Sequence, residues 1–81
     1  MVRSGDAQVL TITTGSRVRI RAGDLTEEEW VIVVPAESDA ADSRLSELSP
    51  LGSALLGHGI GDEVRVQSPG GRWTALVVDV R

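Results

Sequence analysis

The sequence contains no cysteine, no phenylalanine and no tyrosine, and every basic residue in it is arginine. Without cysteine there are no disulfides and no thiolate metal ligands, so stability has to come from apolar packing. Trp30 and Trp73 are the only aromatics, too few to line an aromatic pocket or to build a platform for stacked bases. Long hydrophobic runs are missing as well. The longest, Trp30 to Val34 and Ala75 to Val78, fall far short of the roughly 20 residues that cross a bilayer. The N-terminus has no apolar stretch of the signal-peptide kind, so a cytoplasmic location without membrane association is expected. A net charge of −4 from twelve acids and eight bases argues against binding driven by counterion release, and no direct sequence-specific nucleic-acid recognition is expected.

What remains is 81 residues, 41% hydrophobic and 25% charged, enough for one domain near the lower size limit for folding unaided. With so few aromatics its core must be Val, Ile and Leu, which favours strands. Residues 1–8 show no apolar periodicity and are expected to be disordered, leaving 9–81 as the domain. Val9, Leu10 and Ile12 can open a strand. After the Gly15-Ser16 turn signal, Arg17 to Arg21 alternates, with Val18 and Ile20 on one face and three arginines on the other. Gly23-Asp24 makes a polar turn, and Glu29 to Val34 returns as a hairpin partner with apolar residues on both faces, as a central strand requires.

Pro35 to Ser43 is small, acidic and turn-prone, and reads as a surface loop before a short strand over Leu45 to Leu48. Ser49 is then a helix N-cap, Pro50 the first helical residue, and Leu51, Ala54 and Leu55 a stripe at helical spacing closed by Gly57. So short a helix must be held by packing on the sheet. Asp62 to Gln67 alternates again, Ser68-Pro69-Gly70-Gly71 is a reverse turn, and Trp73 to Val80 is the last strand. Consecutive Leu76, Val77 and Val78 break its alternation, so that strand is either covered on both faces or bulged.

Catalytic or ligand chemistry finds little support. Glu27, Glu28 and Glu29 are adjacent in a turn, where carboxylates do not converge on one point, and a solvated charge run is the simpler reading. The arginine stripe Arg17, Arg19 and Arg21 reads as a solvated strand face that deters edge pairing, with a patch for an acidic partner as the second account. His58 follows the helix C-terminus, where a partial positive charge is mildly favourable. Gly57-x-Gly59-x-Gly61 follows a helix and precedes a strand, the reverse of the order in a phosphate cradle. The expectation is a domain that is not an enzyme and holds no cofactor or metal.

The ordered run Leu45-Ser46-Glu47-Leu48-Ser49-Pro50-Leu51-Gly52-Ser53-Ala54-Leu55-Leu56-Gly57-His58, then Ile60-Gly61-Asp62-Glu63-Val64 and Pro69-Gly70-Gly71, resembles the C-terminal domain of the bacterial Gre transcription elongation factors (GreA/GreB). Each piece alone is common turn chemistry. In order, over roughly Thr11 to Arg81, they are specific. The resemblance implies an FKBP-like α+β fold, an antiparallel sheet half-wrapped around one short helix. It also implies docking on RNA polymerase at the rim of its secondary channel, through residues around the Ser-Pro. Carried over by position, these are Leu48, Ser49 and Pro50, with Leu51 in the core. Leu48 departs from the family's Asn or Asp, and His58 from its Lys, and both change the contact surface.

The family's other half is a coiled coil whose tip assists transcript cleavage. Two long helices at about 1.5 Å per residue do not fit ahead of the first matched strand, so cleavage stimulation by this chain alone is not expected. Two other readings stand beside that of a polymerase-binding regulator or competitor. A peptidyl-prolyl isomerase is suggested only by the fold, which does not transmit activity, and active members line their site with several aromatics. A detached interaction domain of a longer chain would make Met1 to Thr14 a remnant linker. The oligomeric state is open, with a monomer the default.

Overall fold

Alternating Val18 and Ile20 with Arg17, Arg19 and Arg21 produces strand β1 (Arg17–Ala22), both apolar side chains fully buried and the arginines on the opposite face. The computed structural model describes residues 10–81, and the segment 1–8 expected to be disordered lies outside them. After β1 come β2 (Glu27–Val33), β3 (Arg44–Ser46), the helix α1 (Pro50–Leu55), β4 (Glu63–Ser68) and β5 (Gly71–Val80). They form one five-stranded sheet in the order β3-β2-β1-β5-β4. Of the segment expected to open a strand, Val9 lies outside the described residues, and Leu10 to Ile12 form no strand. Instead Thr11 makes an isolated bridge to Gly59, and Ile12 is buried between the helix end and the sheet.

The expected α+β class and FKBP-like arrangement are present, with one correction. The sheet is mixed, not antiparallel throughout: β2 and β3 pair in parallel, Val31 with Arg44 and Val33 with Ser46. The reason lies in the Pro35 to Ser43 loop, which winds through two single 3-10 turns, Pro35–Glu37 and Ala40–Asp42, and doubles the chain back to Val31, so that β3 runs alongside the last residues of β2. Asp39 caps the second turn by accepting from the Ala41 N–H, and Ser43 leaves it in the left-handed region at φ 56°. A crossover of this kind lets two sequential strands run the same way.

The ambiguity in β5 resolves as a bulge. Arg19 pairs with Asp79 but Ile20 pairs with Val77, so Val78 is the extra residue. Val77 and Val80 thereby both face the core, which strict alternation forbids. The core lies on one face of the sheet, where Leu55 of α1 packs against Val18, Ile20, Ile32, Val64 and Val66, with Leu51 and Ala54 at its margin. Among the described residues no helix is long and apolar enough to cross a membrane.

Leu25, at the tip of the β1–β2 turn, has φ 70° and is 75% exposed. A side chain that packs on nothing gains nothing from being held in a conformation natural to glycine. Leu25→Gly is expected to raise the unfolding free energy by about 0.5–1 kcal/mol in urea titrations. A loss of stability would show that the leucine makes a contact that matters.

A candidate docking edge at the start of the helix

The parallel strand β3 ends at Ser46, and that residue organises the turn into the helix. Its carbonyl accepts from the Ser49 N–H at 3.0 Å and from the Ser49 hydroxyl at 2.7 Å. Its own hydroxyl accepts from the Leu48 N–H at 3.1 Å. Ser49 in turn accepts from the Gly52 N–H at 3.0 Å through its Oγ, which makes it the N-cap of α1, with Pro50 opening the helix. One hydroxyl thus joins the strand end to the helix start. Glu47 is tied down separately, its N–H donating to the Val33 carbonyl and its carboxylate accepting from the Thr14 hydroxyl.

With the backbone folded back on itself here, Glu47 and Ser49 are engaged in hydrogen bonds and Leu48 and Pro50 are left exposed. Leu48 is 74% exposed and Pro50 is exposed, while Ser49 is half-buried beneath them and Leu51 turns toward the core. The structure therefore brings Leu48 and Pro50 to one outward edge and gives Ser49 the capping role read from the sequence. Ser46 and Gly52 were not singled out there. A Cβ on Gly52 would lie 2.0 Å from the Ser46 carbonyl oxygen, so only glycine lets α1 start this close to β3. The spacing Ser46-x-x-Ser49-x-x-Gly52 carried that information, but the contact that explains it is tertiary.

The charged candidates are accounted for by cross-strand register. Arg17 and Arg19 reach Glu29 at 3.7 and 3.8 Å, and Arg21 pairs with Glu27 at 2.8 Å. Glu28 accepts from the Trp30 indole N–H at 3.0 Å. Since β1 is the middle strand of the sheet, the arginine stripe guards no edge, which corrects that reading; its charges are largely met by the neighbouring strand. Trp30 lies one strand from Val18, which pairs with Val80, and Trp73 stands at the other end of β5. At about 3.3 Å per residue the two indoles are roughly 20 Å apart, too far to share a pocket.

At the far end of the helix the Asp62 carboxylate accepts from the Gly59 N–H at 3.0 Å and lies 3.0 Å from His58 Nδ1. The Gly59 N–H first, and His58 second, hold its carboxyl below the ordinary value of 3.8. A carboxyl with a lowered folded-state pKa adds stability that is present above its unfolded value and is lost as pH falls through the folded one. Asp62→Asn is therefore expected to lower stability at neutral pH and to flatten the acid limb of the stability curve, measured by urea unfolding from neutral pH down to about pH 2. Identical curves for the two proteins would remove Asp62 from the account.

At the junction itself, Ser49→Ala is expected to cost about 1 kcal/mol, the usual worth of an N-cap. Gly52→Ala, which would favour an isolated helix, is expected to cost about 2–3 kcal/mol here because the methyl group overlaps the Ser46 carbonyl. Both are read by chemical denaturation, and a Gly52→Ala protein as stable as the parent would contradict the geometry.

The profile of the family described as "Transcription elongation factor, GreA/GreB, C-term" matches residues 7–81. The transcription elongation factor GreA of Halalkalibacterium halodurans is 40% identical over 78 residues, which is 95% of this chain and 48% of the relative. That of Thermotoga neapolitana is 46% identical over 70 residues, 85% of this chain and 45% of the relative. Among solved structures, Thermus aquaticus Gfh1 superposes with a TM-score of 0.80 at 29% identity, over 94% of this chain and 51% of that one. The GreA/GreB factor of Nitrosomonas europaea gives 0.69 at 37% identity, over 85% and 58%. The chain spans about half the length of the curated relatives it matches. Sequence similarity along nearly the whole chain and the shared fold agree, and the chain belongs to the GreA/GreB C-terminal domain family.

Proposed function

We propose that this domain is a transcription regulator that binds RNA polymerase without being an enzyme, docking at the rim of the secondary channel through Leu48, Ser49 and Pro50. Membership of the GreA/GreB family supports the choice of partner. The observation that carries the choice of surface is the outward edge at the helix start, where an exposed leucine and an exposed proline sit on a backbone pinned by Ser46 and Ser49. Little conformational entropy is lost when such an edge is covered. Proline has no rotamer freedom to lose, and the capping network has already ordered the loop.

Acting through this surface alone, the domain would occupy the polymerase or tether something else to it, in the cytoplasm. The separation of Trp30 from Trp73 speaks for this reading over a prolyl isomerase, whose site needs several aromatics together. Titration of fluorescently labelled protein into core RNA polymerase is expected to show saturable binding at or below tens of micromolar. Pro50→Arg is expected to weaken it by about 1–2 kcal/mol, the range of an interface anchor, with unfolding unchanged. Normal binding by Pro50→Arg would move the docking surface elsewhere, and no binding by the parent protein would defeat the proposal.

A further inference from the structure

Of the seven arginines among the described residues, five meet a carboxylate: Arg17, Arg19, Arg21, Arg44 and Arg81. Arg65 and Arg72 meet none among the described residues. The register of the β4–β5 hairpin pairs Arg65 with Thr74 and Gln67 with Arg72. Directly opposed residues of an antiparallel pair share a face, so both arginines, the glutamine and the threonine stand together on the side away from Val64 and Val66. The strand segments 65–67 and 72–74 border an open depression of about 570 Å³.

The same hairpin ends the sheet. β4 is an edge strand, and among the described residues its backbone receives no hydrogen bond from outside its pairing with β5. Such an edge offers a row of main-chain donors and acceptors to any extended segment. Net charge elsewhere sharpens the contrast. The domain carries −4 overall, and the opposite edge of the sheet is flanked by Glu37, Asp39 and Asp42 in the loop ahead of β3; on the hairpin face Glu63, two residues from Arg65, is the one carboxylate of β4 and forms no ion pair with either arginine, so two arginines against one glutamate leave a locally positive face on an acidic body.

We propose that the β4 edge with Arg65 and Arg72 is a second interaction surface, distinct from the Leu48–Pro50 edge, that takes an extended, carboxylate-bearing peptide segment of a partner protein. The segment pairs its backbone with β4 and places acidic side chains on the guanidinium groups, whose planar fork matches a carboxylate with two parallel hydrogen bonds. A nucleic-acid strand fits less well. Two cations neutralise few phosphates, the acidic body repels a polyanion, and Trp73 alone, half-buried against the core, gives little stacking surface.

The test uses three fluorescently labelled probes at low salt: a peptide of alternating glutamate and threonine, the same length of alternating lysine and threonine, and a uridine oligonucleotide. Backbone amide shifts of isotope-labelled protein locate any contact. The acidic peptide is expected to bind, to perturb amides of 63–74, and to lose about tenfold in affinity with Arg65→Gln plus Arg72→Gln, while the basic peptide does not bind. Both arginines are exposed, so the variant's unfolding curve should match the parent's. The proposal is overturned if the acidic peptide does not bind, if it binds the double variant equally well, if the shifts fall outside the hairpin, or if the oligonucleotide binds tighter than the peptide. Because polymerase does not enter this experiment, its outcome is independent of the docking edge at Pro50.

Discussion

The Ser46 carbonyl is the point on which the arrangement of this domain turns. It accepts twice from Ser49, once from the amide and once from the hydroxyl, and it lies against the bare α-carbon of Gly52. A six-residue helix has almost no stability of its own. Here it is held at its start by that carbonyl and along its length by Leu55 in the core, so a marginal element becomes a fixed one. The same interaction turns Leu48 and Pro50 outward. Stability and display are one problem with one solution, and a small chain without disulfides has little room for two.

Parallel pairing of β3 belongs to the same economy. Because the loop over residues 35–43 doubles back only as far as Val31, β3 follows the last residues of β2 and Ser46 arrives beside Val33, where the turn into the helix begins. The bulge at Val78 does complementary work on the other side of β1: it restores Val80 to the core after Val77 has already faced it, so the last turn of the sheet closes against Val18. Both irregularities serve to keep one apolar face continuous.

Much of this was legible in the sequence, and the remainder was hidden for physical reasons. Alternation exposed β1 and β4 because one face of each is buried and the other solvated. Ser49, Pro50 and the Leu51 to Leu55 spacing exposed the helix because caps and stripes are local. The direction of β3 was not legible, since three residues carry no mark of which way a neighbour runs. In β5, the run Leu76-Val77-Val78 fitted two structures equally until the register of a partner strand decided between them. Nothing local marked Gly52, and its necessity appears only with the Ser46 oxygen in place. The arginine stripe does face solvent, but its role at an edge was misread, because only the strand order shows that β1 is central and that Glu27 and Glu29 lie beside it. Local chemistry was readable, whereas relations between segments distant in sequence had to be seen.

The central claim is that the edge built on Ser46, Ser49 and Gly52 is the surface this family member presents to RNA polymerase. Competition addresses it most directly: a fixed amount of labelled full-length GreA bound to core polymerase is challenged with rising amounts of this domain, with Pro50→Arg as the comparison. The account predicts that the parent domain displaces GreA completely and that Pro50→Arg requires about tenfold more to do so. A ternary complex in which both proteins remain bound, or equal displacement by the two domains, would contradict it.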